Sequence, residues 1–191
     1  MKRLAPLLLL AILLIPSQHP AFAQPPSLAA LNVQAADLPA GFQLFADQRL
    51  NTTAAVARAD NASVAAYSKE GVLRADDRLF NGSAKPTGLV TIFSLVYVLK
   101  SPGAAHQFYA QFVRKAPGAG KAISPERFGE EGRDFTGTST NNGQTIRVNI
   151  AIFRRGVYLV WVGVQPVIKS FAAPQVIHLA RLVDSRIQHA Q

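Results

Sequence analysis

RDFTGTSTNNGQTIRVNIAIFRRGVYLVWVGV, residues Arg133–Val164, is the stretch on which the fold turns. Ile146, Val148, Ile150 and Ile152 alternate with Arg147, Asn149 and Ala151, the two-residue period of a strand with one buried face. Ahead of it, Arg133 to Thr140 runs into Asn141-Asn142-Gly143, and an Asn-Gly pair tolerates the positive φ values of a tight hairpin. Behind it, Arg154-Arg155-Gly156 leads into an apolar run from Val157 to Val164. Strands separated by short glycine turns predict an antiparallel meander.

The register of the second hairpin decides where Trp161, the sole tryptophan, comes to lie. A two-residue turn at Arg155-Gly156 sets Ile150 opposite Trp161 and takes the indole into the core. A three-residue turn sets Asn149 opposite it and turns the indole to the more polar face, because a slip of one residue inverts every side chain.

The rest of the chain supplies partners for this meander. In Thr87–Leu99, Leu89, Thr91, Phe93, Leu95, Tyr97 and Leu99 lie on one side and Val90, Ile92, Val96 and Val98 on the other. Apolar residues on both faces predict a central strand covered on both sides. Ser101-Pro102 is a helix start, and Ala105, Phe108, Tyr109 and Phe112 form the buried stripe of a helix to Lys115. Pro117-Gly118-Ala119-Gly120 ends it. Pro174 opens a last helix whose stripe is Val176, Leu179, Ala180, Val183 and Ile187.

Towards the N-terminus, Asp37-Leu38-Pro39-Ala40-Gly41-Phe42 reads as a turn into a half-buried strand carrying Leu44, Ala46 and Leu50. Thr52 to Glu70 reads as helix in one or two pieces, with Asn61 as an internal cap and Gly71 as the stop. Val72 to Phe80 reads as a strand. The expected fold is α+β: a mostly antiparallel sheet of five to six strands with helices packed chiefly on one face.

The chain has 191 residues, 49% hydrophobic and 16% charged, with a formal net charge of +9 and no cysteine. Met1-Lys2-Arg3, the apolar Leu4–Ile15 and Ala21-Phe22-Ala23 make a secretory signal peptide cleaved after Ala23. The apolar run is too short to span a bilayer. The expected mature protein, residues 24–191, is one exported domain, periplasmic or extracellular, with a loose lead-in over 24–36 and no transmembrane segment. Absence of cysteine excludes disulfides, thiolate metal sites, Cys nucleophiles and a lipobox.

No catalytic or metal motif stands out, so no cofactor is expected. His106, His178 and His189 are too far apart in sequence for a local zinc site. Asp76-Asp77 and Glu130-Glu131 lack the spacing of a calcium loop and read as solvated charges. There is no Gly-x-Ser-x-Gly elbow, and Gly118-Ala119-Gly120-Lys121 lacks the flanking residues of a phosphate loop. A hydrolase would need a site assembled only in three dimensions.

Positive charge is the remaining feature. Lys115, Lys121, Arg127, Arg133, Arg147, Arg154 and Arg155 concentrate it in the second half, which favours anionic partners. Export and the lack of an RNA motif disfavour nucleic acid. The candidate binding residues are Arg147, Arg154, Arg155 and Trp161. The expected partner is a small apolar or anionic molecule, or alternatively an acidic envelope polymer or protein docked on the basic surface.

Asp37-Leu38-Pro39-Ala40-Gly41-Phe42, Phe128-Gly129-Glu130-Glu131 and Phe153-Arg154-Arg155-Gly156 follow one another in an order that resembles uncharacterised exported bacterial domains of sensor-like or lipoprotein type. The resemblance implies an extracytoplasmic α+β domain and supplies no catalytic residue. Without a lipobox cysteine it implies no lipid anchor here.

Overall fold

The computed structural model describes residues 27–84, 88–115, 128–141, 144–167 and 172–191. The expected signal peptide, the helix stop expected at Pro117–Gly120, Lys121, Arg127 and the turn expected at Asn142-Gly143 lie outside them. In chain order the elements are α1 (Leu28–Leu31), β1 (Gln43–Leu50), α2 (Thr53–Ala59), α3 (Val64–Glu70), β2 (Val72–Ala84), β3 (Gly88–Leu99), α4 (Pro102–Lys115), β4 (Glu131–Asn141), β5 (Gln144–Arg155), β6 (Tyr158–Gln165) and α5 (Ala173–His189).

The strands form one antiparallel sheet in the order β1-β2-β3-β6-β5-β4. Two meanders, β1–β3 and β4–β6, meet along the β3–β6 ladder at the centre. That position explains the two-sided apolarity of β3. Val90, Ile92 and Val96 are buried on one face, and Tyr97 and Leu99 on the other. The fold is α+β, as the alternation predicted.

Helices cover both faces. α2, α3 and α4 share one, where Val56, Tyr67, Ala105 and Phe108 pack on Tyr97, Ile150, Ile152 and Leu159. The longest helix, α5, takes the opposite face together with α1. There Val176, Leu179, Ala180, Val183 and Ile187 pack on Ile92, Phe153, Val160 and Val162. Ser101 caps α4, its Oγ accepting from the Ala104 N–H at 3.1 Å, and Thr52 and Ser63 cap α2 and α3 in the same way.

Of the two alternatives the β5–β6 link is a two-residue turn, and it lies at Gly156-Val157, one residue beyond Arg155-Gly156. Arg155 pairs with Tyr158, and Gly156, at φ 54°, supplies the left-handed corner. Trp161 therefore faces Ile152 and shares the apolar face with Ile150. β1 departs further from expectation. A bulge between Leu44 and Ala46 breaks its alternation, and Leu44 and Phe45 stay exposed at the sheet edge.

The loose lead-in expected over 24–36 is corrected from Ser27 onward. Leu31, Asn32 and Val33 are buried, because Asn32 plugs into the sheet. Its amide donates to the Asp76 carbonyl (3.0 Å), to Asp76 Oδ1 (2.8 Å) and to the Ser94 carbonyl (3.1 Å). Its oxygen accepts from the Val33 N–H at 2.8 Å and from the Ser94 hydroxyl. Arg78, buried beside them, donates to the Val33 carbonyl (2.9 Å) and pairs with Asp76 at 3.2 Å. Alanine and proline around this segment hide a plug whose strength lies in one asparagine.

Gly71 ends α3 in the left-handed region at φ 82°, and a Cβ there would sit 2.7 Å from the Lys100 side chain. Gly71→Ala is expected to cost about 1 kcal/mol, read as a lower urea midpoint with an unchanged slope.

Candidate functional site

The sheet face under α2–α4 is not fully covered. Tyr97 and Leu99 are buried beneath the helices, but Phe93 and Leu95, further back along β3, are only half-buried. Between α3 and α4, above β2, β3 and β6, lies a half-open cavity of about 610 Å³. Its floor is Leu79, Phe93, Leu95 and Trp161. Phe108, Gln111, Phe112 and Lys115 of α4 form one wall, and Tyr67 and Glu70 of α3 with Asp60 and Asn61 form the other.

Helical spacing builds the aromatic wall. Phe108 and Phe112 are one turn apart on α4, and their rings lie 4.7 Å apart at 63°. Phe112 meets Trp161 edge-to-face at 5.2 Å, and Phe108 meets Tyr67 at 5.5 Å and Tyr97 at 5.7 Å. Phe93 completes the row against Trp161 at 6.0 Å. Phe93 has room because its ladder partner is Gly163, where a Cβ would fall 2.2 Å from the phenylalanine ring.

Carboxylates form the polar part. Asn61, left-handed at φ 52°, turns the chain from α2 into α3. Asp60, just before it, accepts from the Tyr67 hydroxyl at 2.8 Å and the Tyr97 hydroxyl at 3.0 Å through one oxygen. Burial pushes its carboxyl up, and the two tyrosine hydrogen bonds oppose that rise. Tyr67 and Tyr97 are both raised, chiefly by burial and then by the Asp60 charge, so their hydroxyls remain donors. Asp77 is pushed up to about 6, first by burial and then by the Asp60 and Asp76 charges. One oxygen each of Asp77 and Glu70, and the Trp161 indole N–H, are shut off from solvent without a hydrogen-bond partner.

The sequence-derived site residues do not converge. Trp161 lines the cavity floor. Arg147 and Arg155 project from the opposite face of β5, as strand alternation requires. Arg155 is bound to Asp184 of α5, which also accepts from the Gly129 N–H at 2.8 Å. Arg154, on the Trp161 side, is held by Glu130 and Glu131. These pairs pin the β5–β6 hairpin to α5 and to the start of β4. His106, His178 and His189 are exposed, and none lines the cavity.

Asp77 and Asp60 escape a reading of motifs. Asp76 and Asp77 are not the solvated charges expected: they point to opposite faces of β2, Asp76 buried under the Asn32 plug and Asp77 half-buried in the cavity. The available signal was an Asp-Asp pair inside a strand, where aspartate is depleted unless something holds it.

No family model matches the chain, and none of the curated proteins compared with it matches either. Among solved structures, the extracellular domain of PknH from Mycobacterium tuberculosis is similar. It matches at a TM-score of 0.50 and 12% identity, over 86% of this chain and 98% of that domain. What the two share is the fold. Among the described residues no helix is long and apolar enough to cross a membrane.

Proposed function

We propose that this protein is an exported, non-catalytic binding domain that holds a small molecule in the cavity between α3 and α4. The observation that carries the reading is the cavity itself. At about 610 Å³, walled by aromatic rings with a few convergent polar groups, it has the size and lining of small-molecule sites. The N-terminal signal sequence supports export. Of the two ligand chemistries expected from composition, an apolar body suits these walls, whereas an anion would meet Asp60, Glu70 and Asp77. Docking of an acidic polymer through Arg154 and Arg155 is the weaker reading, since both guanidiniums are already engaged by carboxylates.

The test is native against denaturing mass spectrometry of protein recovered from the periplasm of an expressing host. Wild type is expected to carry extra mass that disappears on denaturation. Leu95→Trp, which fills the cavity from its floor, is expected to lose that mass while keeping the fold. A wild-type mass without adduct, together with no response of Trp161 emission to any small-molecule probe, would sink the proposal.

A further inference from the structure

Resting on that reading, we infer that the cavity takes an organic cation with an apolar body, an ammonium compound, because its aromatic walls carry carboxylates that, among the described residues, form no ion pair with any Lys or Arg, Lys115 of the cavity wall included. The charge pattern of the rest of the molecule gives this its force. Asp37 lies against Arg186, Asp47 and Asp76 against Arg78, Glu130 and Glu131 against Arg154, and Asp184 against Arg155. Among the described residues, Asp60, Glu70 and Asp77 of the cavity form no such pair. In a chain with a net charge of +9, cations are plentiful, so unpaired acids gathered at one cavity are a local exception. Burial has raised the cost of the Asp60 and Asp77 charges, and a bound cation would relieve it.

Aromatic rings decide which cation. Ring faces carry negative quadrupole density, and Trp, Tyr and Phe faces attract ammonium groups, Trp most strongly. The edge-to-face contacts running from Tyr67 through Phe108 and Phe112 to Trp161 supply such faces and apolar area together. A bare metal ion is a poor occupant. Among the described residues no three acidic or histidine side chains come together closely enough to hold one. An organic ammonium needs no tight ligand shell. Its charge lies towards Asp77 and Asp60, and its apolar body lies on Phe93, Leu95 and Trp161.

Three probes of matched shape test this: benzyltrimethylammonium, its neutral isostere neopentylbenzene, and the phenylmethanesulfonate anion. Because Trp161 is the only tryptophan and forms part of the floor, its emission reports occupancy directly. The cation is expected to bind about ten-fold or more tighter than the isostere, the scale of an opposite charge and a ring face acting in a partly desolvated site. Asp77→Asn and, separately, Glu70→Gln are expected to shrink that ratio while leaving the affinity for neopentylbenzene near wild type, which also shows that each variant is folded. Equal or tighter binding of the neutral or anionic probe would overturn the cation assignment and leave the binding reading standing. A cation preference that survives in both variants would overturn the role given to the carboxylates. If no probe moves Trp161 emission up to its solubility limit, this inference falls, and the binding reading falls with it only where the native mass of the wild type also carries no adduct.

Discussion

Asn32→Ala is expected to be among the most damaging single substitutions in the chain, lowering stability by about 3–4 kcal/mol. Asn32 is fully buried, and its amide joins three segments distant in sequence: α1, β2 at Asp76 and β3 at Ser94. Removing it strands the Val33 N–H, the Ser94 hydroxyl and an Asp76 oxygen away from water, and each unpaired group costs about 1–3 kcal/mol. Asp76 suffers most. Burial already raises its carboxyl, and the Asn32 hydrogen bond is the leading influence that lowers it. The measurement is urea unfolding of wild type and variant at neutral pH, with a small loss counting against the plug.

Asn32→Asp separates charge from packing at the same site. It sets a second carboxylate where the amide nitrogen now stands, 2.8 Å from Asp76 Oδ1. Two like charges at that range cannot both ionise cheaply, so one carboxyl is raised. A raised folded-state carboxyl contributes stability in acid and loses it as the pH climbs. Asn32→Asp is therefore expected to lie below wild type at neutral pH and to recover part of the gap near about pH 5. Asn32→Ala raises Asp76 only by removing the hydrogen bond that lowers it, with no second carboxyl beside it, and is expected to recover less. Equal pH slopes for the two variants would contradict the arrangement.

Why the sheet was legible and the site was not follows from the kind of signal each leaves. The alternation over Ile146–Ile152 and the two-sided apolarity of β3 are consequences of burial repeated along a strand, so many residues carry the same message. The place of Trp161 followed from the parity of a single turn. The sequence leaves that parity open; the turn at Gly156-Val157 is two residues long, so the indole lies on the apolar face. The cavity depends instead on where helices fail to cover the sheet, and no periodicity records that. α4 presents an ordinary buried stripe and α3 buries only Tyr67, and the space lies where the two leave Phe93 and Leu95 half-covered. The state of the arginines is hidden from the sequence for a related reason. Excess positive charge near Arg154 looked available, but Glu130, Glu131 and Asp184, brought close by the hairpin and α5, had already engaged it. Composition counts charges without showing which are paired.

The clearest mark of a functional site would be a substitution that strengthens the fold while it weakens binding, and Asp77→Asn is expected to do this. The Asp77 carboxyl stands at about 6 against an ordinary 3.8, so the folded protein holds that proton more tightly than the unfolded chain. Its contribution is full below about pH 4, is lost as the pH rises through about 6, and is a steady deficit above that. Burial is the main cause, and the charges of Asp60 across the cavity and of Asp76, next to it on β2 but on the other face, add to it; Glu70, Tyr97 and Lys115 line the same cavity, and Lys115 forms no ion pair with Asp60, Glu70 or Asp77. Asparagine keeps the shape and removes the charge. At neutral pH the variant is expected to be more stable by about 1–2 kcal/mol, after discounting for partial exposure, and the advantage should vanish below about pH 4. Thermal or urea unfolding across that range reads it. A destabilised Asp77→Asn at neutral pH would mean that the carboxylate is held by favourable interactions and not kept under strain. A stabilised variant that has also lost its preference for a cationic probe would show why aspartate stands there: the fold tolerates an unpaired charge because a ligand completes it.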